Sequence, residues 1–67
     1  MLCRFTIIPD GGTLIYSGRP EDTYETALLY FGINPDTALV FHNGKSLPQD
    51  KKIEEGEVVL FPTSSRG

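Results

Sequence analysis

The side chains best suited to chemistry in this chain are its single cysteine, Cys3, and its single histidine, His42. His42 has no cysteine nearby and no second histidine, so it can complete neither a zinc site nor a nucleophile pair. Cys3 alternates with Phe5 and Ile7 on the inner side of a predicted strand, where burial raises the pKa of a thiol. The sequence therefore predicts a core cysteine, a surface or strand-end histidine, and no catalytic residue.

Two further segments resemble ligand sites at first inspection. Gly11-Gly12 joins two predicted strands, whereas a phosphate-binding loop joins a strand to a helix. Residues 54–57 hold three glutamates beside Lys51 and Lys52, a pattern typical of a solvated surface. We therefore expect a hairpin turn in the first segment, a charged surface in the second, and no stably bound metal or cofactor in either.

The size and charge of the chain argue against several classes of protein. Its 67 residues make one small domain, whose thin core leaves no room for a deep substrate cleft. Its net charge of -3 argues against binding to nucleic acid. One cysteine, with no signal sequence and no membrane span, favours a reducing compartment. We expect a cytoplasmic protein that is not an enzyme and is a monomer when free.

Alternating apolar residues and turn signals predict the elements of the first half. Residues 1–8 and 13–17 are expected to form two antiparallel strands around a turn at residues 9–12. Asp22 and Glu25 have the spacing of a capping box, with Asp22 as the helix N-cap. The apolar stripe of the predicted helix consists of Tyr24, Ala27, Leu28 and Phe31.

Three short strands are expected in the second half. Residues 38–42 lead into Asn43-Gly44, a strong signal for a tight hairpin turn, and residues 45–47 form the return strand. After a polar loop the last strand spans residues 58–61, with Pro62 preventing further regular pairing. This order predicts an α+β fold in which one main helix lies across a mixed sheet of four to five strands.

The third and last strands are also expected to form an exposed apolar surface. Alternation suggests that the side chains facing the helix are Leu39, Phe41, Val58 and Leu60. On the opposite face it predicts a partner-binding patch of Val40, His42, Val59 and Phe61. Adjacent exposed apolar residues on a small domain are typical of docking surfaces.

Three stretches of the sequence resemble known proteins. The start of the ubiquitin helix is similar to residues 20–27, P-E-D-T-Y-E-T-A, and its third strand and turn resemble residues 39–47, L-V-F-H-N-G-K-S-L. The small subunit of molybdopterin synthase and the thiamine-pathway sulfur carrier end much like residues 57–67, E-V-V-L-F-P-T-S-S-R-G. The chain thus resembles the ubiquitin-like β-grasp sulfur carriers and the small archaeal-type ubiquitin-like modifiers.

The resemblance implies a β-grasp domain over residues 1–62 and a flexible C-terminal tail over residues 63–67. It implies that Gly67 carries a carboxylate that a ubiquitin-activating-type enzyme adenylates with ATP. The activated carboxylate would become a thiocarboxylate or be joined to an amine, so the implied partners are the adenylating enzyme and a sulfur-accepting enzyme or protein target. The pathway stays open among molybdenum or tungsten cofactor, thiamine, transfer-RNA thiolation and protein conjugation.

Arg66 departs from the paired glycines with which these families end. Three interpretations remain open: an activating enzyme that accepts a long side chain, a further glycine missing from the sequence, or loss of the carrier chemistry. In the last case the chain would be a non-covalent β-grasp interaction module.

Overall fold

The structure, a computed structural model, describes residues 1–63 of the chain. Its elements in chain order are strands β1 (Leu2–Ile7) and β2 (Gly12–Ser17), helix α1 (Tyr24–Tyr30), a 3-10 turn (Pro35–Thr37), and strands β3 (Ala38–His42), β4 (Lys45–Leu47) and β5 (Glu57–Pro62). The strands form one mixed sheet in the order β2-β1-β5-β3-β4. This arrangement confirms the predicted α+β fold and a sheet of five strands.

The core lies between helix α1 and the inner face of the sheet. Its largest fully buried side chains are Cys3, Phe5, Tyr24, Leu28, Val40 and Leu60. The ring of Phe5 meets the rings of Tyr24 and Phe31 edge to face, with centroids 5.9 and 5.3 Å apart. The buried faces of strand β1 and of the helix are therefore the ones that the sequence pattern predicted.

Strand β5 holds the sheet together because it pairs with strands from both halves of the chain. It runs parallel to β1, where Phe5 lies opposite Val58, and antiparallel to β3, where Val40 lies opposite Leu60. First and last strands thus lie side by side in the middle of the sheet. The segment between them must cross from one side of β5 to the other, and α1 makes that crossing over the inner face.

Pairing of β5 continues through Pro62, so the prediction that Pro62 stops it was wrong. The N–H of Thr63 still donates to the carbonyl of Thr37 at 2.7 Å. Bonding groups alternate along a strand, so Pro62 directs its nitrogen away from β3, towards β1. The missing N–H therefore breaks no bond with β3. On the β1 side, Pro62 follows the bond from the Ile8 N–H to the Leu60 carbonyl at 3.1 Å, close to the end of that pairing.

Helix α1 is capped by Thr23, one residue after the predicted cap. The Thr23 hydroxyl accepts from the N–H of Thr26 at 3.2 Å, and the Thr26 hydroxyl accepts from the N–H of Thr23 at 3.5 Å. The prediction of Asp22 as N-cap was wrong because its carboxylate has other donors. It accepts from the Tyr16 hydroxyl at 2.6 Å and from the N–H of Arg19 at 3.0 Å.

Gly18 allows Tyr16 and Asp22 to approach each other. A Cβ at this position would collide with the Asp22 carboxylate and lie 2.5 Å from a ring carbon of Tyr16. The hydrogen bond to Asp22 is the main cause that raises the pKa of Tyr16 to about 12, and it lowers the pKa of Asp22. The link between β2 and the helix start therefore depends on a glycine between them.

The loop between β4 and β5 is fastened to the start of the helix. The N–H groups of Tyr24 and Glu25 donate to the carbonyls of Lys51 and Gln49, at 3.2 and 2.8 Å. N–H groups at a helix start have no partner inside the helix, so the loop satisfies groups that would otherwise need water. The side-chain amide of Gln49 also donates to the carbonyls of Pro35, in the 3-10 turn, and Ala38, the first residue of β3, each at 2.8 Å.

A half-buried carboxylate, Glu55, completes this link. It accepts a hydrogen bond from the hydroxyl of buried Tyr24 and forms an ion pair with Lys51 at 3.0 Å. Burial by itself raises the pKa of Glu55, but the hydrogen bonds from Tyr24 and Lys51 outweigh it and lower that pKa to about 2. Residues 54–57 are therefore only partly the solvated surface that we predicted.

We predict that Glu55→Gln removes a pH-dependent part of the stability. Because the folded-state pKa of Glu55 lies below its usual 4.5, the ionised group stabilises the fold above that pH. This stabilisation is lost as the pH falls from about 4.5 towards 2. The difference in unfolding free energy between the wild type and Glu55→Gln, measured by urea denaturation, should therefore shrink over this range.

Glu54→Gln is the matched control, because the Glu54 side chain is 74% exposed whereas that of Glu55 is 16% exposed. It should change the pH profile much less. A wild-type advantage over Glu55→Gln that stays constant from neutral pH to pH 2 would contradict this assignment.

Candidate functional site

The outer face of the sheet, opposite the helix, carries an apolar surface formed by β3 and β5. Leu39 lies opposite Phe61, and Phe41 lies opposite Val59. The rings of Phe41 and Phe61 meet edge to face with centroids 5.1 Å apart. Leu39 is 44% exposed and Phe61 is 38% exposed, so water reaches large apolar side chains here. We call Leu39, Phe41, Val59 and Phe61 the outer patch.

The sequence pattern predicted the wrong face of the sheet for the side chains of β3. Val40, predicted for the exposed patch, is 1% exposed and lies in the core, whereas Leu39 and Phe41, predicted to face the helix, belong to the outer patch. The pairing of Val40 with Leu60 decides this, because directly opposed residues share a face of the sheet. Val59 and Phe61 lie on the outer face as predicted.

His42 ends β3 beside the outer patch and is not one of its exposed apolar members. Its Nδ1 donates to the carbonyl of Glu57 at 3.0 Å, and its Nε2 accepts from the side-chain amide of Asn43 at 3.3 Å. A carbonyl can only accept, so Nδ1 is the donor in the contact with Glu57. The ring fastens the end of β3 to the start of β5.

An open cavity of about 200 Å³ adjoins the outer patch. Phe41 and Val59 of the patch form part of its wall, Thr6 of β1 another part, and His42 and Glu57 its polar end. Sites for small-molecule substrates usually measure about 300–1,000 Å³. A cavity of this size next to an apolar surface suits one inserted side chain of a docked protein.

The other candidates from the sequence form no reactive site among the described residues. Cys3 is fully buried, and this burial is the main reason that its pKa is raised to about 11. Within residues 1–63, no three potential metal ligands come together. Up to Thr63, no helix has the length and apolar composition needed to cross a membrane.

The predicted activation residues, Arg66 and Gly67, lie outside the described residues. The same holds for the predicted tail beyond Thr63. Thr63 itself, which we assigned to the tail, is hydrogen-bonded to Thr37 and continues the pairing of β5 with β3.

We predict losses of very different size from an aspartate at the neighbouring positions 39 and 40. Val40→Asp places an unpaired carboxylate in the core and should lower the unfolding free energy by about 3–5 kcal/mol or more. Leu39→Asp places the same group in water and should cost about 1 kcal/mol or less. Urea denaturation followed by circular dichroism measures both values, and equal losses would contradict the assigned faces of β3.

Comparison with known proteins supports the fold. No protein-family model matches the chain, and no curated protein matches it at a significant level. Among solved structures, the chain is similar to a computationally designed protein based on the template of human erythrocytic ubiquitin, determined by NMR in solution. The two sequences are 28% identical, the TM-score is 0.69, and the match covers 98% of this chain and 95% of the other. The chain therefore has a ubiquitin-like β-grasp fold.

Proposed function

We propose that this chain is a sulfur carrier or a ubiquitin-like protein modifier that is activated at its C-terminal glycine, Gly67. A ubiquitin-activating-type partner would adenylate the Gly67 carboxylate with ATP. The product would then be converted to a thiocarboxylate or joined to an amine of a protein target. In this proposal the chain is a substrate of enzymes and not itself an enzyme, and ATP is bound by the partner.

The proposed chemistry explains why a terminal glycine and an activating enzyme are needed. A free carboxylate is a poor electrophile, so its oxygen must first attack the α-phosphate of ATP, with release of pyrophosphate. A sulfur or amine nucleophile can then attack the carbonyl carbon of the acyl-adenylate and displace AMP. Glycine suits a narrow adenylating site because it is slender and permits unusual backbone angles.

The ubiquitin-like β-grasp fold is the observation that carries this proposal. Within that fold β5 is clamped between β1 and β3, and its pairing reaches Thr63. Residues 64–67 follow in the sequence and contain no large apolar side chain. A rigid last strand followed by a short polar segment is what a carrier needs to present a terminal carboxylate to another protein.

The outer patch supports a second part of the proposal, the docking of partner enzymes. Phe61 belongs to the patch and lies two residues before Thr63, so a partner that covers the patch also lies close to the C-terminal segment. The polar neighbours Thr6 and Ser46, which pair with Val59 and Phe41, border the patch on either side. An apolar centre with a polar border is typical of protein interfaces.

A non-covalent interaction module is the alternative use of this surface. The outer patch would serve a module as well as a carrier, and only covalent activation separates the two functions. We also propose that the protein acts in the cytoplasm, because the thiol of Cys3 has no partner cysteine and belongs in a reducing compartment.

We predict an ATP-dependent mass change at the C-terminus when the intact chain meets its activating enzyme and a sulfur donor or target. Intact mass spectrometry would show oxygen replaced by sulfur, or an adduct on a target lysine. Deleting Gly67 should abolish the change, because the terminal carboxylate then belongs to Arg66, one residue shorter and beside a long side chain that a narrow adenylating site excludes. The deletion should alter the unfolding free energy by less than about 0.5 kcal/mol, since it lies beyond the last strand.

Two further variants test the role of Arg66 and decide the outcome. Arg66→Gly should widen the range of activating enzymes that accept the chain, because a long charged side chain beside the reacting group obstructs sites built for paired glycines. If activating enzymes of the native source modify neither the intact chain nor a chain with a second terminal glycine, the carrier proposal fails. The interaction module then remains.

We predict that Phe61→Asp weakens capture of the activating enzyme at least tenfold while the domain stays folded. The added charge would have to be desolvated in the middle of the docked surface. Leu2→Asp is a matched control, because Leu2 is 67% exposed on the same face but lies at the start of β1, away from the patch. Equal affinities of Phe61→Asp and the wild type, measured by calorimetry, would exclude the outer patch as the docking surface.

A further inference from the structure

The free edge of the sheet at β2 has none of the features that usually block strand pairing. Among the described residues, β2 and β4 are the two edge strands of the sheet. Strand β4 has three residues, carries Lys45 and is followed by Pro48. Strand β2 has six residues, Gly12–Ser17, with no charged residue and no proline. Edge strands are usually protected by charges, prolines or shortness, so β4 is protected and β2 is open.

The hydrogen bonds of the β1–β2 hairpin show which backbone groups of β2 are available. Met1 and Gly18 exchange two bonds, from the Gly18 N–H at 3.0 Å and from the Met1 amino group at 2.9 Å. Bonded pairs alternate along an antiparallel ladder, so Leu14 and Tyr16 also direct their N–H and C=O groups towards β1. The N–H and C=O groups of Thr13, Ile15 and Ser17 therefore point outward from the edge.

We propose that this edge pairs with β2 of a second copy of the chain, antiparallel and about a two-fold axis at Ile15. In this register Ile15 faces its own copy, and Thr13 faces Ser17 of the other copy. Each facing pair can exchange both backbone hydrogen bonds, because all of these groups point outward. The two sheets would then form one continuous sheet.

The side chains near the edge are complementary in the same register. Ile15 is 55% exposed, and the symmetric pairing covers it with the Ile15 of the other copy. The register also sets Thr13 opposite Ser17 of the other copy on the same face as Ile15, so that exposed polar side chains flank the central isoleucines on both sides. Such self-complementarity is what a two-fold interface requires, and it favours a second copy over an unrelated strand.

A single row of strand pairing is a small interface, so the dimer should be weak and concentration-dependent. This proposal differs from the monomer that we expected from the sequence. The pairing uses β2 and leaves the outer patch and the C-terminal segment free. It therefore does not depend on the carrier proposal.

The two-fold axis at Ile15 gives a specific test by analytical ultracentrifugation of the full chain. The wild type should form a dimer as its concentration rises towards about 1 mM. Ile15→Lys and Ile15→Glu should each remain monomeric, because like charges meet at the axis. An equimolar mixture of the two variants should dimerise again, because opposite charges then face each other. Rescue by mixing occurs only where residue 15 meets its own copy.

Matched controls and a second measurement complete the experiment. Leu2→Lys changes a side chain that is 67% exposed on the neighbouring strand and should leave dimerisation within twofold of the wild type. Amide hydrogen exchange at Thr13, Ile15 and Ser17 should slow as the protein concentration rises, while that at Leu14 and Tyr16 should not change. A wild type that remains monomeric up to about 1 mM, or variants that do not rescue each other, would overturn the proposal.

Discussion

The position of β5 between β1 and β3 is the constraint on which the rest of the structure depends. Its two pairings join residues from opposite ends of the chain, and the pairing with β1 is parallel. A parallel pair cannot be closed by a tight turn, so the intervening chain has to cross over one face of the sheet. Helix α1 lies on that face, which leaves the other face open. The outer patch is a direct result of this one-sided cover.

Polar contacts supplement the apolar core, because a domain of this size, whose described residues contain one α-helix of seven residues, buries little surface. The loop before β5 satisfies the helix N-terminus with its carbonyls, and the Gln49 side chain binds that loop to the 3-10 turn and to the first residue of β3. Glu55 connects that loop to the core through the hydroxyl of Tyr24. The loop therefore acts as a structural element, although it contains no regular secondary structure.

The local sequence pattern predicted the secondary-structure elements well. The features that it did not predict depend on contacts with residues far away in the chain. Alternation identified both faces of β1, where Arg4 and Thr6 separate the buried residues. Residues 38–41 are all apolar, so nothing within β3 indicates which side faces water, and only its pairing with β5 does. Asp22 and Thr23 are both residue types that commonly cap helices. Because the Asp22 carboxylate is hydrogen-bonded to the Tyr16 hydroxyl, Thr23 caps the helix instead. No local signal identifies Gln49 or Glu55, whose partners lie elsewhere in the chain.

The alternation of faces along β3 and β5 has an evolutionary consequence. Along both strands, residues that hold the core and residues that form the outer patch occupy every second position. Selection can therefore change the outer patch through alternate codons while the intervening codons preserve the fold. The exposed chemistry of this face and the stability of the domain are thus encoded at separate positions of the same two strands.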